Sequence, residues 1–208
     1  MPHKLNLATW ERRDHFAFFR NFEEPFFGVC VEVDCTVAYR RTKELGTSFF
    51  LYYLHQSIVA VNQTAPFRYR IVGDDVVVHE QVGASATINR ENGSFGFSYI
   101  PYAEDFQEFE QGAQAEIDRV RGTTGLVPAT AAESVIHYSS LPWIKFTSVS
   151  HARSFSHADS IPKISFGKMT EANGKRMMPV SVHVHHALMD GFHVGQHLER
   201  FQELLNQT

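Results

Sequence analysis

A histidine-rich segment near the C-terminus contains the residues best suited to chemistry. It reads V-H-V-H-H-A-L-M-D-G-F over residues 182–192. Its first part alternates as a strand does, which would place Val182, Val184 and His186 on one face. His186 would then end an apolar row just before the chain turns at Asp190. A histidine held by a rigid strand and open to a cleft is suited to general-base catalysis.

Each of these residues also has a purely structural interpretation. Asp190 could cap the last helix, Gly191 could be a turn residue, and His186 could be a hydrogen-bonded core histidine. On residue types and spacing alone, the catalytic and the structural interpretations both stay open.

The same region contains two histidine pairs with metal-ligand spacing. His183 and His185 would share one strand face, and His193 and His197 would share one helix face. Such pairs can bind zinc or copper. No cysteine lies beside them, and twelve histidines in 208 residues make these spacings frequent by chance. We therefore expect no native metal.

Composition and charge restrict the other function classes. The 208 residues are 43% hydrophobic and 20% charged, which is typical of a globular protein, and we expect one domain over residues 1–208. The formal net charge of −4 shows no basic surplus, so we expect no nucleic-acid partner.

The two cysteines and the N-terminus bear on the cellular compartment. Cys30 and Cys35 would lie on opposite faces of one strand, so we expect no disulfide between them. Neither a signal peptide nor an apolar span long enough for a bilayer is visible, so we expect no membrane partner. These features favour a cytoplasmic protein.

The elements that must position the histidine segment interleave strands and helices. The pattern predicts helices at 10–22, 36–45, 47–62, 102–120 and 192–205. It predicts strands at 27–35, 67–72, 76–79, 84–88, 95–99, 134–138, 144–148, 164–168 and 178–186. Because the strands include hairpins, we expect an α/β (mixed α+β) fold, a two-layer sandwich in which helices pack on a mixed β-sheet.

Several stretches of the chain together resemble the chloramphenicol acetyltransferase family. Residues 185–195 (H-H-A-L-M-D-G-F-H-V-G) resemble its H-H-A-x-x-D-G-F-H-V motif, and residues 10–16 resemble its W-x-R-[RK]-E-H-F. Residues 66–68 resemble its E-F-R, residues 139–148 its S-A-x-P-W-V-x-F-[TD]-S, and residues 198–204 its closing helix. These stretches follow the family's order and spacing from residue 10 to the end. The resemblance implies a chloramphenicol-acetyltransferase-like fold.

The resemblance also implies a reaction. The protein would be a homotrimer with active sites between subunits, which transfers acetyl from acetyl-CoA to a hydroxyl of chloramphenicol or a related small molecule. His186 would be the general base, and Ser139 would donate to the tetrahedral oxyanion, with Ser140 as a rival. Ser165 would hold a water near the same intermediate.

Further site residues follow from the same resemblance. Asp190 would pair with Arg12 and so fix the geometry around the histidine. The acceptor-binding residues would be Phe18, Phe19, Phe27, Phe95, His151, Arg153 and Lys163, and the cofactor-binding residues would be Lys168 and Trp143. His151, Arg153 and Lys163 stand where the family usually has aliphatic residues. A different, more polar acceptor is therefore an alternative to chloramphenicol.

Two other functions share parts of this pattern. The acyltransferase core of 2-oxo acid dehydrogenase complexes shares the H-x-x-x-D-G element, but it usually reads D-H-R where residues 185–187 read H-H-A. A non-catalytic trimeric relative that binds a ligand or a metal through its histidines is the second alternative. The joint presence of His186, Ser139 and an Arg12–Asp190 pair argues against it.

Overall fold

A mixed β-sheet forms the centre of the fold in a computed structural model, which describes residues 2–126, 133–154 and 159–207. The strands are β1 His3–Lys4, β2 Phe26–Asp34, β3 Tyr69–Val72, β4 Asp75–Val78, β5 Gly83–Asn89, β6 Phe95–Phe97, β7 Val135–Ser140, β8 Lys163–Phe166, β9 Thr170–Ala172 and β10 Lys175–His185. The helices are α1 Arg13–Phe19, α2 Thr36–Leu45, α3 Phe49–Gln63, α4 Phe106–Arg121 and α5 Gly191–Leu205, with a short 3₁₀ helix at Ala65–Arg68.

The strands run in the order β2-β10-β8-β7-β5-β6, and β9 pairs with one end of β10. Strand β7 is parallel to both β5 and β8, whereas β10 is antiparallel to β2 and β8. The described residues also form a small antiparallel sheet, β1-β4-β3. The predicted mixed sheet with packed helices is confirmed.

One face of the large sheet is apolar and carries the helices. Val180, Val182 and Val184 of β10 are fully buried, and they belong to the same core cluster as the buried residues of α3 and α5. Burying a side chain of this size contributes about 1.5–3 kcal/mol. This row of valines therefore anchors the strand that ends next to His186.

The opposite face of the sheet carries polar side chains in two rows across the strands. One row pairs Gly28, His183, Lys163, His137 and Ser85, and the next pairs Cys30, Ser181, Ser165 and Ser139. Gly28 leaves room for the imidazole ring of His183, which a Cβ atom at that position would strike. The sheet therefore separates an apolar layer from a polar surface.

A buried arginine joins the small sheet to β7. The side chain of Arg70 on β3 is 1% exposed and donates to the backbone carbonyls of Phe67, Tyr69, Glu133 and Val135. Hydrogen bonds from a charged donor are stronger than neutral ones. These contacts fix the start of β7, the strand that carries Ser139 toward its other end.

The strand predicted at 144–148 is wrong. The N–H of Ile144 donates to the carbonyl of Leu141 in a turn that contains Pro142, and the side chain of Ile144 is exposed. Only Phe146 of this apolar alternation is buried. The segment forms no strand ladder, although the N–H of Lys168 just after β8 donates to the Ile144 carbonyl and Lys145 pairs with Glu32 of β2.

The structure bears on three other expectations. Cys30 and Cys35 are both free thiols, as predicted. Among the described helices, none combines the length and the apolar character that a bilayer span requires. The first helix is shorter than the predicted 10–22, since α1 covers Arg13–Phe19.

The buried histidine of α5 predicts a specific pH dependence of stability. His197 is fully buried beside the rings of Phe67 and Phe201, and burial lowers its pKa to about 3. An unfolded histidine binds a proton below about pH 6.5, whereas folded His197 does not until about pH 3. Stability should therefore fall as the pH falls through this window.

We expect His197→Phe to reduce the slope of the unfolding free energy against pH by about 1.4 kcal/mol per pH unit, because one proton fewer is bound on unfolding. Urea unfolding between pH 4.5 and 7.5 at fixed protein concentration measures the slope. The exposed His15 on α1 offers a matched control, and His15→Asn should leave the slope unchanged. An unchanged slope in His197→Phe would contradict the prediction.

Candidate active site

His186 directly follows β10, and its backbone is held from two sides. Its N–H donates to the carbonyl of Pro25 at 2.8 Å, and its own carbonyl accepts from Nη2 of Arg12 at 3.3 Å. The apolar row of β10 ends here, so the histidine leaves the sheet at a fixed point. The backbone of the candidate base is therefore pre-positioned.

Two phenylalanines fix the imidazole ring of His186. The ring of Phe19 stacks on it at 4.1 Å between centroids and 9° between planes, and the ring of Phe27 lies 4.7 Å away. Nδ1 of the imidazole is buried and has no hydrogen-bond partner in the described residues. This leaves Nε2 as the ring nitrogen that can meet an acceptor.

An ion pair ties the N-terminal segment to the start of α5. Nη1 of Arg12 lies 2.5 Å from Oδ2 of Asp190, and the arginine side chain is 13% exposed. Partial burial would raise the pKa of Asp190, but the hydrogen bond and the charge of Arg12 lower it below its ordinary value. Asp190 therefore remains ionised, and Arg12 stays oriented toward the carbonyl of His186.

Asp190 also caps α5, so the structural and the pairing interpretations hold together. Its Oδ1 accepts from the N–H of Phe192 at 3.1 Å, and Nδ1 of His193 lies 2.9 Å from the same oxygen. The N–H of Asp190 points back to Nδ1 of His193 at 3.2 Å in a capping box. The carboxylate uses one oxygen for the helix and the other for Arg12.

Ser139 lies on the polar face of the sheet, while its rival is engaged elsewhere. The hydroxyl of Ser140 lies 3.1 Å from the hydroxyl of Tyr53. Ser139 is in register with Ser165 of β8, whose buried Oγ has no partner in the described part of the chain. The pair Ser139–Ser165 therefore offers two hydroxyls side by side for a ligand or a water.

Ser139 lines a cavity of about 500 Å³. The walls include Phe95, Phe97, His137, Ser139, His151 and Lys163. The predicted acceptor residues Phe95, His151 and Lys163 thus share one cavity with the predicted oxyanion donor.

One wall of this cavity, which we call the polar wall, consists of Lys163, His151 and His137. Nζ of Lys163 lies 2.5 Å from Oδ2 of Asp159 and donates to the carbonyl of Ile161 at 3.1 Å. Burial lowers the pKa of Lys163 from its ordinary value, although Asp159 opposes this. Burial, together with the nearby His183 and Lys163, lowers the pKa of His151 to about 4, so its ring is neutral at pH 7.

Arg153 lies beside this cavity rather than in it. Its Nη1 pairs with Oε1 of Glu24, and its guanidinium lies 4.0 Å above the ring centroid of Phe26. It lines an adjoining cleft of about 230 Å³, which shares His151 and Lys163 with the larger cavity. Arg153 therefore neighbours the predicted acceptor site.

The predicted site falls into two halves within one chain. Phe19 and Phe27 contact His186, and Phe18, 64% exposed, packs on Phe19. The described residues that line the Ser139 cavity do not include His186.

The sheet register separates the two halves. Ser181, in register with Ser165 and thus with Ser139, precedes the end of β10 by four residues, or about 13 Å. Two interstrand spacings add about 10 Å across the sheet. One chain therefore cannot bring His186 and Ser139 to the same small group.

The two predicted cofactor residues are exposed and close together along the surface. Trp143 is 65% exposed, and Lys168 is exposed just beyond β8. The N–H of Lys168 donates to the carbonyl of Ile144 at 2.8 Å, which holds the turn with Trp143 beside it.

The histidine pairs with metal-ligand spacing have other contacts. Nδ1 of His183 lies 3.1 Å from the Ser181 hydroxyl, and His197 lies between aromatic rings. Nδ1 of His193 is engaged with Asp190. Across residues 2–126, 133–154 and 159–207, no three potential ligands lie close enough to hold a metal ion.

Sequence reasoning missed Asp159 and His137. Asp159 lies four residues before Lys163, and the two form an ion pair. The pair could have been predicted from an acidic residue close in sequence to a lysine at an apolar position. His137 lies two residues before Ser139 on the same strand face. Alternation along β7 could have placed it in the Ser139 site.

Comparison with known proteins gives a consistent result. The family model described as "Chloramphenicol acetyltransferase" matches residues 2–202. The chain is 29% identical over 206 residues to chloramphenicol acetyltransferase 3 of Escherichia coli, which covers 98% of this chain and 96% of that protein. It superposes on a solved chloramphenicol acetyltransferase with a TM-score of 0.90 at 31% identity, covering 99% of this chain and 100% of the other.

A solved probable dihydrolipoamide acetyltransferase of Listeria monocytogenes is also similar. The TM-score is 0.66 at 16% identity, over 94% of this chain and 92% of that one. At 16% identity this similarity shows a common fold and does not indicate a function.

Proposed function

The chain belongs to the chloramphenicol acetyltransferase family and is an acyltransferase, and on this premise we propose that residues 1–208 form one domain that transfers acetyl from acetyl-CoA to a hydroxyl of chloramphenicol or a related small molecule. The observation that carries the proposal is the placement of His186. Arg12 and Pro25 fix its backbone, and Phe19 and Phe27 fix its ring.

His186 acts as the general base in the proposed mechanism. Nε2 takes the proton of the acceptor hydroxyl while the oxygen attacks the thioester carbonyl carbon of acetyl-CoA. The base must be neutral for this step, because a protonated imidazole has no lone pair on Nε2 to accept the proton. Collapse of the tetrahedral intermediate breaks the carbon–sulfur bond, and the proton on His186 passes to the leaving thiolate.

Ser139 stabilises the oxyanion of that intermediate. A preorganised hydroxyl donor is effective because it need not reorient when the negative charge develops. The side-by-side register of Ser139 and Ser165 supports the assignment, since the unpartnered Oγ of Ser165 can hold a water next to the same oxygen. The engagement of Ser140 with Tyr53 supports Ser139 over its neighbour.

The acetyl-CoA site includes Lys168 and Trp143. An exposed ammonium suits the cofactor phosphates as a point charge. The exposed indole of Trp143 lies beside it along the chain surface and offers an apolar contact to the pantetheine arm. A dependence on acetyl-CoA is consistent with the cytoplasmic location that we propose, because acetyl-CoA is available there.

The protein acts as a homotrimer with its active sites between subunits. The support is the division of the site, because His186 and Ser139 lie too far apart in one chain to touch one acetyl group. Head-to-tail contacts around a threefold axis bring the His186 half of each subunit to the Ser139 half of the next. Arg12 and Asp190 then hold the base at the subunit boundary.

We expect His186→Ala to lower the rate of acetyl transfer by about 10²–10⁴-fold, because it removes the positioned base. Release of the CoA thiol in the presence of chloramphenicol measures the rate, and thermal unfolding checks that the variant is folded. His3→Ala, which changes an exposed histidine in β1, should retain the wild-type rate. A folded His186→Ala protein with full activity would refute the assignment.

Replacing the oxyanion donor should have a separate effect. Ser139→Ala should lower turnover by about 10²–10³-fold, the usual loss for one such donor. Ser140→Ala is the matched control and should lower turnover less than tenfold, since its hydroxyl already pairs with Tyr53. The reverse pattern would assign the role to Ser140, and a small effect in both would assign it to another donor.

Mixed trimers test whether the site is shared between subunits. His186→Ala and Ser139→Ala chains are each expected to be inactive alone. When they are co-expressed and assemble at random, about a quarter of the sites should combine an intact histidine with an intact serine. Activity near that fraction supports a shared site. A mixture no more active than its parents, or a monomeric native mass, would contradict it.

A further inference from the structure

The polar wall of the cavity lies one register step from the proposed oxyanion site. Lys163 and His137 precede Ser165 and Ser139 by two residues on their strands, so the two rows are about 7 Å apart on one face of the sheet. An acceptor whose hydroxyl meets acetyl beside Ser139 can therefore reach this wall with its body.

The polar wall has hydrogen-bonding capacity to spare. An ammonium has three donors, and within the described residues Lys163 makes hydrogen bonds to Asp159 and Ile161, while its Nζ also lies 4.5 Å from the ring centroid of Phe26. Nε2 of His151 is buried and has no partner among the described residues. A hydrocarbon group placed here would leave these atoms unsatisfied, at a cost comparable to a lost hydrogen bond for each.

The charges of the polar wall are already balanced in pairs. Lys163 pairs with Asp159, and Arg153 in the adjoining cleft pairs with Glu24. His151 is neutral at pH 7. A fully charged substituent would bring an uncompensated charge into the site, whereas a neutral group that accepts or donates hydrogen bonds would not.

Another part of the cavity lining is aromatic. Phe95 and Phe97 lie 5.6 Å apart, nearly perpendicular, and both line the cavity. A ring or an aliphatic body can therefore pack on one surface of the cavity, and a neutral polar substituent can bind to another.

We propose that Lys163 and His151 determine specificity for an acceptor that directs a neutral hydrogen-bonding substituent at the polar wall while its apolar body packs on Phe95 and Phe97. The inference rests on the proposed function, because it assumes that the acceptor occupies the Ser139 cavity. It goes further in naming the acceptor class and the residues that select it.

Two variants remove the polar wall without leaving a charge unpaired. His151→Leu removes an imidazole whose Nε2 has no described partner. Lys163→Met/Asp159→Asn removes both charges of the ion pair together. His79→Leu is the matched control, because His79 also has a buried, unpartnered Nε2 but does not line the cavity.

The probes are chloramphenicol and three analogues that each lack one polar group. Hydrogen replaces the aryl nitro group, hydrogen replaces the secondary hydroxyl, or a methyl group replaces the amide hydrogen. Titration calorimetry without acetyl-CoA measures the Kd of each probe, and thiol release measures kcat/KM. We expect at least one polar group to strengthen binding to the wild type about threefold to tenfold, as one hydrogen bond does.

The ratio of Kd values between that analogue and chloramphenicol should fall toward one in His151→Leu or in the double variant. It should stay at the wild-type value in His79→Leu. The proposal is overturned if every preference survives both cavity variants, if none exists in the wild type, or if no probe binds. Binding that depends on His151 or Lys163 without any thiol release would uphold the inference while refuting acetyl transfer, so the two failures are distinguishable.

Discussion

The ion pair between Arg12 and Asp190 is the contact on which the proposed chemistry depends. It joins residues 178 positions apart and fixes the start of α5 against the N-terminal segment. From there Arg12 reaches the carbonyl of His186. A largely buried charge without its partner is costly, so the two residues hold each other in place. The backbone position of His186 thus depends on a contact between the two ends of the chain.

Side chains alternate between the two faces of the sheet, and this alternation places the polar residues of the site on one face. Val180, Val182 and Val184 face the helices, and the side chains between them belong to the polar face. That face buries Lys163 and Ser165, which is costly unless each finds a partner. Asp159 serves Lys163, but Ser165 has no partner among the described residues. The buried hydroxyl of Ser165 therefore has a hydrogen bond available for a water or a ligand group beside Ser139.

Local pattern predicted the mixed fold, because alternation and helical period are encoded within short segments. The same rule failed at 144–148, which follows a turn that contains Pro142 and pairs in a ladder with no strand of the described residues. Recognition of the family came from motifs, and the match over residues 2–202 confirms it. The spacing of Asp159 and Lys163 lies within one segment, but the separation of His186 from Ser139 depends on how distant strands align. No single-segment pattern carries that information.

In the proposed mechanism, the two rows of the polar face separate catalysis from acceptor selection. Ser139 and Ser165 form one row, and His137 and Lys163 form the next, about 7 Å away on the same two strands. Side chains of one row can change while the backbone that holds the other stays in register, because the hydrogen-bond ladder does not depend on side-chain identity. In this arrangement Lys163 can serve acceptor binding without disturbing the backbone position of Ser139. Under the two proposals, Lys163 lies in the row that determines which acceptor binds, and Ser139 lies in the row that determines what is done to it.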